Sequence, residues 1–321
     1  MKRSLAALLA GIVLAIGAGS GYAQTYPGKP VRLIVPYPAG GSTDQMARLI
    51  SPRMSAALGQ PVIVENISGG NTMIGSGAAA RATPDGHTLL VTANVFAVNV
   101  MLTKTPSYKV QDFIPVAQIA GYPYVLTVHP SVPARTVQEL VDYARREPAK
   151  VNAASLGLGG VTHLLNARFE SLAGVSITSI QYRGSAPALV DLLSGQVQLY
   201  FDTVVTAMPQ VRAGKLRMLG ITSEERSALL PDVPTFKEIG YPGMTQRGWF
   251  GVFAPAGTPK AIVDRLNREV HGAAASEEAK ARFARDGLTT TAYTPEQFAA
   301  FIVEDAATWE RTLKTLNIQL D

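Results

Sequence analysis

Val31-Arg32-Leu33-Ile34-Val35-Pro36-Tyr37-Pro38-Ala39-Gly40-Gly41-Ser42-Thr43-Asp44 is the stretch on which the fold turns. A short apolar run ends at Pro and Gly, as a buried strand of a parallel sheet does. From Ser42 to Leu58 the period changes: Met46, Leu49, Ile50, Met54, Ala57 and Leu58 recur at three- and four-residue steps, one apolar face of a helix. Gly59 stands where a helix stop belongs. Strand, glycine-rich turn, hydroxyl-bearing helix start: this is a βα unit.

The unit is repeated in kind. Val62 to Val64 and Leu89 to Val91 read as further strands. A second series follows, with strands at Val125 to Val128, Val151 to Ala154, Ile177 to Ile180, Val197 to Phe201 and Leu216 to Ile221. Helices fall between them, marked by Val137, Leu140, Val141 and Ala144, by Leu165, Phe169 and Leu172, and by Leu189, Val190 and Leu193. Two βα series predict two α/β domains. The last third holds one strand, Phe250 to Phe253, and helices at Ile262 to Val270 and Phe298 to Leu316, too little for a third domain. The chain is therefore expected to return and complete the earlier two. The first takes 24–123 and 248–295, the second 124–247 and 296–321.

Lys2 and Arg3, the apolar stretch Leu5 to Ala18 and the small residues of Gly21-Tyr22-Ala23 read as a secretory signal peptide over 1–23. The stretch falls short of the ~20 residues a bilayer span needs. The chain has no cysteine, so neither disulfides nor a lipidated cysteine is available. The net charge is +5, and removing Lys2 and Arg3 leaves 5 − 2 = +3. Lys and Arg are scattered, with no basic run, which argues against nucleic-acid binding.

Four strand-to-helix junctions share one composition: Pro36 to Asp44, Ile67 to Thr72, Ser155 to His163, and Tyr182 to Pro187. In open α/β sheets that edge is where ligands bind. Helix starts present unpaired N–H groups and a positive dipole end, which suits an anion, and glycine lets the backbone approach it. Capping alone would explain one such junction. Two in each domain point to a carboxylate held between them. The candidate ligand residues are Tyr37, Ala39, Gly40, Gly41, Ser42 and Asp44; Gly69, Gly70, Asn71 and Thr72; Asn94; Ser155, Gly157, Leu158, Gly159, Thr162 and His163; Arg183, Gly184, Ser185 and Ala186; and Asp202. Arg183 is the one cation at these junctions and points either at the ligand or to solvent. His163 is a cap or a ligand contact.

Enzyme readings find little support. There is no Gly-x-Ser-x-Gly elbow, no phosphate-loop Gly-Lys-Ser/Thr, and His87, His129, His163 and His271 lack metal-site spacing. Gly75-Ser76-Gly77-Ala78-Ala79-Ala80 matches a dinucleotide fingerprint in letters, but it has no acid about 20 positions on and reads as close helix packing. No catalytic residue, cofactor or metal is expected.

At these junctions the chain resembles the solute-binding proteins of the tripartite tricarboxylate transporters, the Bug family. The resemblance runs from Tyr26 to about Asn317. It is carried by Tyr26-Pro27-Gly28-Lys29-Pro30, Pro38 to Asp44, Val64-Glu65-Asn66, Ala82-Thr83-Pro84-Asp85-Gly86, Gln181 to Ala188, Asp191 to Val197, Pro231-Asp232-Val233-Pro234-Thr235, and Trp249-Phe250-Gly251 to Pro259. It implies a clamshell of the type II periplasmic-binding-protein class, with the ligand in the interdomain cleft. It also implies a periplasmic, monomeric protein that hands a small carboxylate to integral-membrane permease subunits, powered by an ion gradient. The loops matching Pro38 to Asp44 and Ser68 to Thr72 would hold a carboxylate, and those matching Ser155 to His163 and Arg183 to Ala186 the distal part. Asp202 matches a family acid; it would meet an ammonium group or cap the helix after Thr203. Where the family's second loop usually has two glycines, this chain has Asn71 and Thr72. Di- and tricarboxylates, aromatic carboxylates and acidic amino acids all remain open as solutes. A sensing subunit for a membrane histidine kinase is the alternative partner.

Overall fold

The computed structural model describes residues 26–316; the signal-peptide segment lies outside the described residues. The chain opens with β1 (Val31–Val35), α1 (Ser42–Leu58), β2 (Val62–Asn66), α2 (Met73–Ala80), β3 (Thr88–Ala93) and α3 (Val95–Leu102). A long strand, β4 (Phe113–Val128), leads into α4 (Val137–Arg146), β5 (Asn152–Ser155), α5 (Val161–Ala173), β6 (Thr178–Gln181) and α6 (Ser185–Leu193). Next come β7 (Leu199–Thr203), α7 (Val204–Arg212), β8 (Arg217–Ile221) and β9 (Arg247–Pro255). Helices α8 (Lys260–Ala274), α9 (Glu277–Asp286) and α10 (Pro295–Leu316) end the described chain.

The strands form a continuous nine-stranded sheet in the order β2-β1-β3-β9-β4-β7-β5-β6, with β8 on the other side of the distal half of β4. Two strands divide it into lobes. β4 pairs antiparallel with β9 from Phe113 to Pro123, then with β7 and β8 from Tyr124 to Val128. The first lobe is β2-β1-β3-β9 with the start of β4; the second is β8, the end of β4, β7, β5 and β6. The chain passes between lobes along β4 at Tyr122–Tyr124 and returns into β9 at Arg247, which lies opposite Pro123. The two passages are neighbours in one ladder, which makes them a hinge.

The apolar runs are continuous because both sheet faces are covered. Val31, Leu33 and Val35 enter the large core with Met46, Ile50 and Met54 of α1, whereas Ile34 faces the second cluster, with Leu90, Phe96, Trp249, Phe253 and Phe298. Each such side chain contributes roughly 1.5–3 kcal/mol by burial. Helix α1 ends at Gly59, whose φ of 69° lets its N–H return to the Ser55 carbonyl at 3.0 Å. The Gly75–Ala80 segment is helix α2: a Cβ on Gly75 would lie 2.3 Å from the Ile67 carbonyl oxygen, so its glycine serves packing.

Helix α10 departs from the sequence expectation. That reading gave 296–321 to the second domain, but Phe298 and Ile302 fill the first lobe's cluster around Trp249 and Phe253. Further along, Arg168 of α5 reaches the Thr312 hydroxyl. The helix therefore straps both lobes.

Candidate ligand-binding site

The four junctions converge. Residues from both lobes line one cavity of about 370 Å³. The first lobe supplies Tyr37, Gly41, Ser42 and Thr43 before and within α1, Gly69 to Thr72 before α2, and Asn94 after β3. The second supplies Gly157 and Thr162 around the start of α5, and Arg183, Gly184 and Ser185 at the start of α6.

The helix starts facing the cavity share a property. Helices α1, α5 and α6 have glycine at the N-cap (Gly41, Gly160 and Gly184), and α2 has Thr72; none receives a side-chain cap. Away from the cavity, α4 and α9 are capped by Thr136 and Ser276, while α8, after Pro259, is not. An uncapped first turn leaves N–H groups and a positive dipole end for another partner. One amide is already taken: Ser42 N–H donates across the cleft to Ser185 Oγ at 3.1 Å. A second interlobe bond runs from Asn71 Nδ2 to the Leu158 carbonyl at 3.2 Å. The lobes thus touch at two places, where α1 meets α6 and where the loops before α2 and α5 meet.

The loop before α2 is strained. Asn71 and Thr72 have φ of 50° and 73°, a left-handed conformation costly for a β-branched residue. Buried Asn99 holds them: its Nδ2 donates to the Asn71 carbonyl at 2.5 Å and to Thr72 Oγ1 at 3.0 Å, and its Oδ1 accepts from Asn71 Nδ2 at 2.9 Å.

Several expected residues lie off the cavity wall. Asp44 shapes the turn from behind, accepting from Gly40 N–H at 2.8 Å and from Arg48 and Asn66 at 3.0 Å. Burial alone would raise its pKa, but these bonds hold it below the usual range. Gly40 is spent in that bond, and Ala39 is exposed beside it. Ser155 is buried under its loop, and Leu158 is exposed, contributing its carbonyl to the Asn71 bond. Gly159 N–H donates to His163 Nδ1 at 3.1 Å, so His163 ties the loop together; burial lowers its pKa and keeps it neutral. Ala186 lies inside α6, behind the wall.

Asp202 is off the wall too, fully buried, with Oδ1 accepting from Thr203 N–H at 2.7 Å and Thr206 Oγ1 at 2.6 Å. These bonds hold the turn into α7, whose first turn has no side-chain cap, and Asp202 Oδ2 has no hydrogen-bond partner among the described residues. Burial pushes its pKa up to about 7 against those hydrogen bonds.

Sequence reasoning missed the tyrosines. Tyr122 and Tyr124 of β4 and Tyr200 of β7 line the cavity beside Tyr37 and Asn94, and Tyr182 stands by Arg183. Tyr124 OH donates to Asn94 Oδ1 at 3.0 Å, and Tyr122 OH lies 3.4 Å from Tyr124 OH. Burial raises the pKa of Tyr122, Tyr124 and Tyr200, so all stay phenols. The signal was present in Gly121-Tyr122-Pro123-Tyr124, but only the pairing of β4 with both lobes puts those rings at the cleft. Arg183, the cation on the wall, is exposed at the rim, with no hydrogen bond or ion pair among the described residues. No cluster of metal-ligating side chains occurs among the described residues.

Two α/β lobes, joined by paired crossing strands and closed over a cavity of helix starts, define a solute-binding protein of the two-domain periplasmic type. A family model described as "Tripartite tricarboxylate transporter family receptor" matches residues 46–318, and the chain belongs to that family. It is 37% identical to protein BugT of Bordetella pertussis over 323 residues, covering 100% of this chain and 99% of that one. Among solved structures it is similar to the periplasmic binding protein BugD, at 32% identity and TM-score 0.88, covering 92% of this chain and 100% of that one. MatC of Rhodopseudomonas palustris with bound malate matches at 33% identity and TM-score 0.85, over 90% and 100% of the two chains. A second R. palustris protein, solved with adipate, matches at 34% and 0.88, over 92% and 100%.

Proposed function

We propose that this protein is exported to the periplasm, captures a small carboxylate between its lobes and delivers it to the membrane permease of a secondary, tripartite tricarboxylate-type transporter, without chemical change. The observation that carries this reading is the set of uncapped helix starts, contributed by both lobes, on the wall of one cavity. Backbone N–H groups can hold a carboxylate there with no buried cation, each charge-assisted bond contributing roughly 1.5–3 kcal/mol. Malate and adipate, bound by related proteins, are ligands of that kind. A ligand touching both lobes has its higher affinity for the closed state and shifts the population toward it.

The lobes divide between Pro123 and Tyr124 and at Arg247, the ligand seat comprises Ser42, Thr43, Gly70, Thr72, Thr162 and Ser185, and the protein acts as a monomer. A thermal-shift screen of carboxylates at millimolar concentration tests the reading. Stabilisation by several degrees is expected from at least one; a flat screen, with calorimetry also silent, overturns it.

A further inference from the structure

The cavity has a second chemistry at its tyrosine end. Asn94 and Tyr200 are 1% and 0% exposed, one from each lobe, and both line the cavity. Asn94 Nδ2 and Tyr200 OH, like Tyr37 OH on the same wall, have no hydrogen-bond partner among the described residues. With the Asn94 amide placed so that Oδ1 accepts from Tyr124 OH, the unpaired end is Nδ2, a donor. Buried donors of native proteins are satisfied, and an unpaired pair on a ligand cavity points to an acceptor on the ligand.

Resting on the carboxylate reading above, we infer that this end of the cavity recognises an uncharged oxygen, a hydroxyl or carbonyl, and that the preferred solute is a monocarboxylate carrying such a group distal to its carboxylate. A second carboxylate would fit the donors but not the charges. Arg183, the one cation among the cavity-lining residues, is exposed at the rim, and the carboxyl of Asp202 lies on β7 two residues from Tyr200. A buried anion there would have no counter-charge. A neutral oxygen between Asn94 and Tyr200 satisfies both lobes at once and therefore favours closure.

The test is calorimetric titration of the full chain with two matched sets: hexanoate, 6-hydroxyhexanoate and adipate; benzoate, 4-hydroxybenzoate and terephthalate. In at least one set the hydroxy acid binds about tenfold tighter than both the unsubstituted acid and the diacid, the worth of one buried hydrogen bond. Tyr200→Phe removes about tenfold of the hydroxy acid's affinity, erasing its advantage. Because the deleted hydroxyl is unpaired in the unliganded protein, the same variant melts at or above the wild-type temperature, which separates lost recognition from lost folding. Diacids binding as tightly as hydroxy acids, or Tyr200→Phe weakening every ligand equally, overturns the inference and leaves the carboxylate reading standing. Silence from all six acids overturns the inference; the carboxylate reading falls only with the wider screen above.

Discussion

Asp202 shows how one side chain can serve the fold at a cost that depends on pH. Its folded pKa of about 7 lies above the ordinary 3.8 because burial penalises the charge. Between those values the folded state binds more protons than the unfolded one, so stability falls as pH rises through the window and levels off above 7. Asp202→Asn keeps an oxygen for Thr203 N–H and Thr206 Oγ1 and removes the titration. Urea denaturation at pH 4.5 and 7.5 is expected to show a smaller loss for the variant, the difference being at most about 4 kcal/mol. Thr72 makes a second case. Its φ of 73° suits glycine, so Thr72→Gly should be more stable than Thr72→Ala by about 1 kcal/mol, although both lose the Asn99 bond. Equal denaturation midpoints for the two variants would show that the loop relaxes.

At the scale of elements, the helix starts govern closure. A Cβ on Gly41 would sit 2.9 Å from Ser185 Oγ, in the other lobe. Gly41→Ala should therefore weaken carboxylate binding about tenfold or more, because the clash falls where the lobes meet; calorimetric titration reads the effect. These starts were legible in the sequence, since glycine and hydroxyl residues after β-branched runs are a local pattern. So were β1, α1 and the helical period of α10 from Phe298 on, though not the lobe it packs against. What was not legible is what depends on pairing. The strand read as Val125 to Val128 is the last quarter of β4, which runs from Phe113 because β9, more than a hundred residues away, supplies its partner. Helix α3 was missed because Val95, Phe96, Ala97 and Val98 are all buried, and a segment covered on every side shows no period. Tyr122, Tyr124 and Tyr200 escaped for the first reason: a strand residue faces a cleft only once the lobes on either side of it are known.

On the scale of the whole molecule, the cavity wall and the passage between lobes share residues. Tyr122 and Tyr124 flank the passage between lobes and end on Asn94 through their hydroxyls. The pivot itself is tightly fitted: a Cβ on Gly248 would lie 2.3 Å from the Tyr122 ring. Gly248→Ala is expected to destabilise the protein by about 1–3 kcal/mol in urea denaturation, the cost of overpacking where the two passages touch.

The place of β9 between β3 and β4 has a consequence for how the protein is made. Synthesis runs from the amino terminus, so the first lobe's sheet lacks the strand that joins β3 to β4 until Pro255 has left the ribosome. Until then Leu90 to Ala93 and the first half of β4 are bare ladder edges flanked by apolar side chains. A nascent chain shorter than this is a sticky, unfinished polymer, and a chain cut at residue 246 should aggregate where the full one stays soluble. The same delay keeps the polypeptide threadable for longer, which suits the export proposed for it.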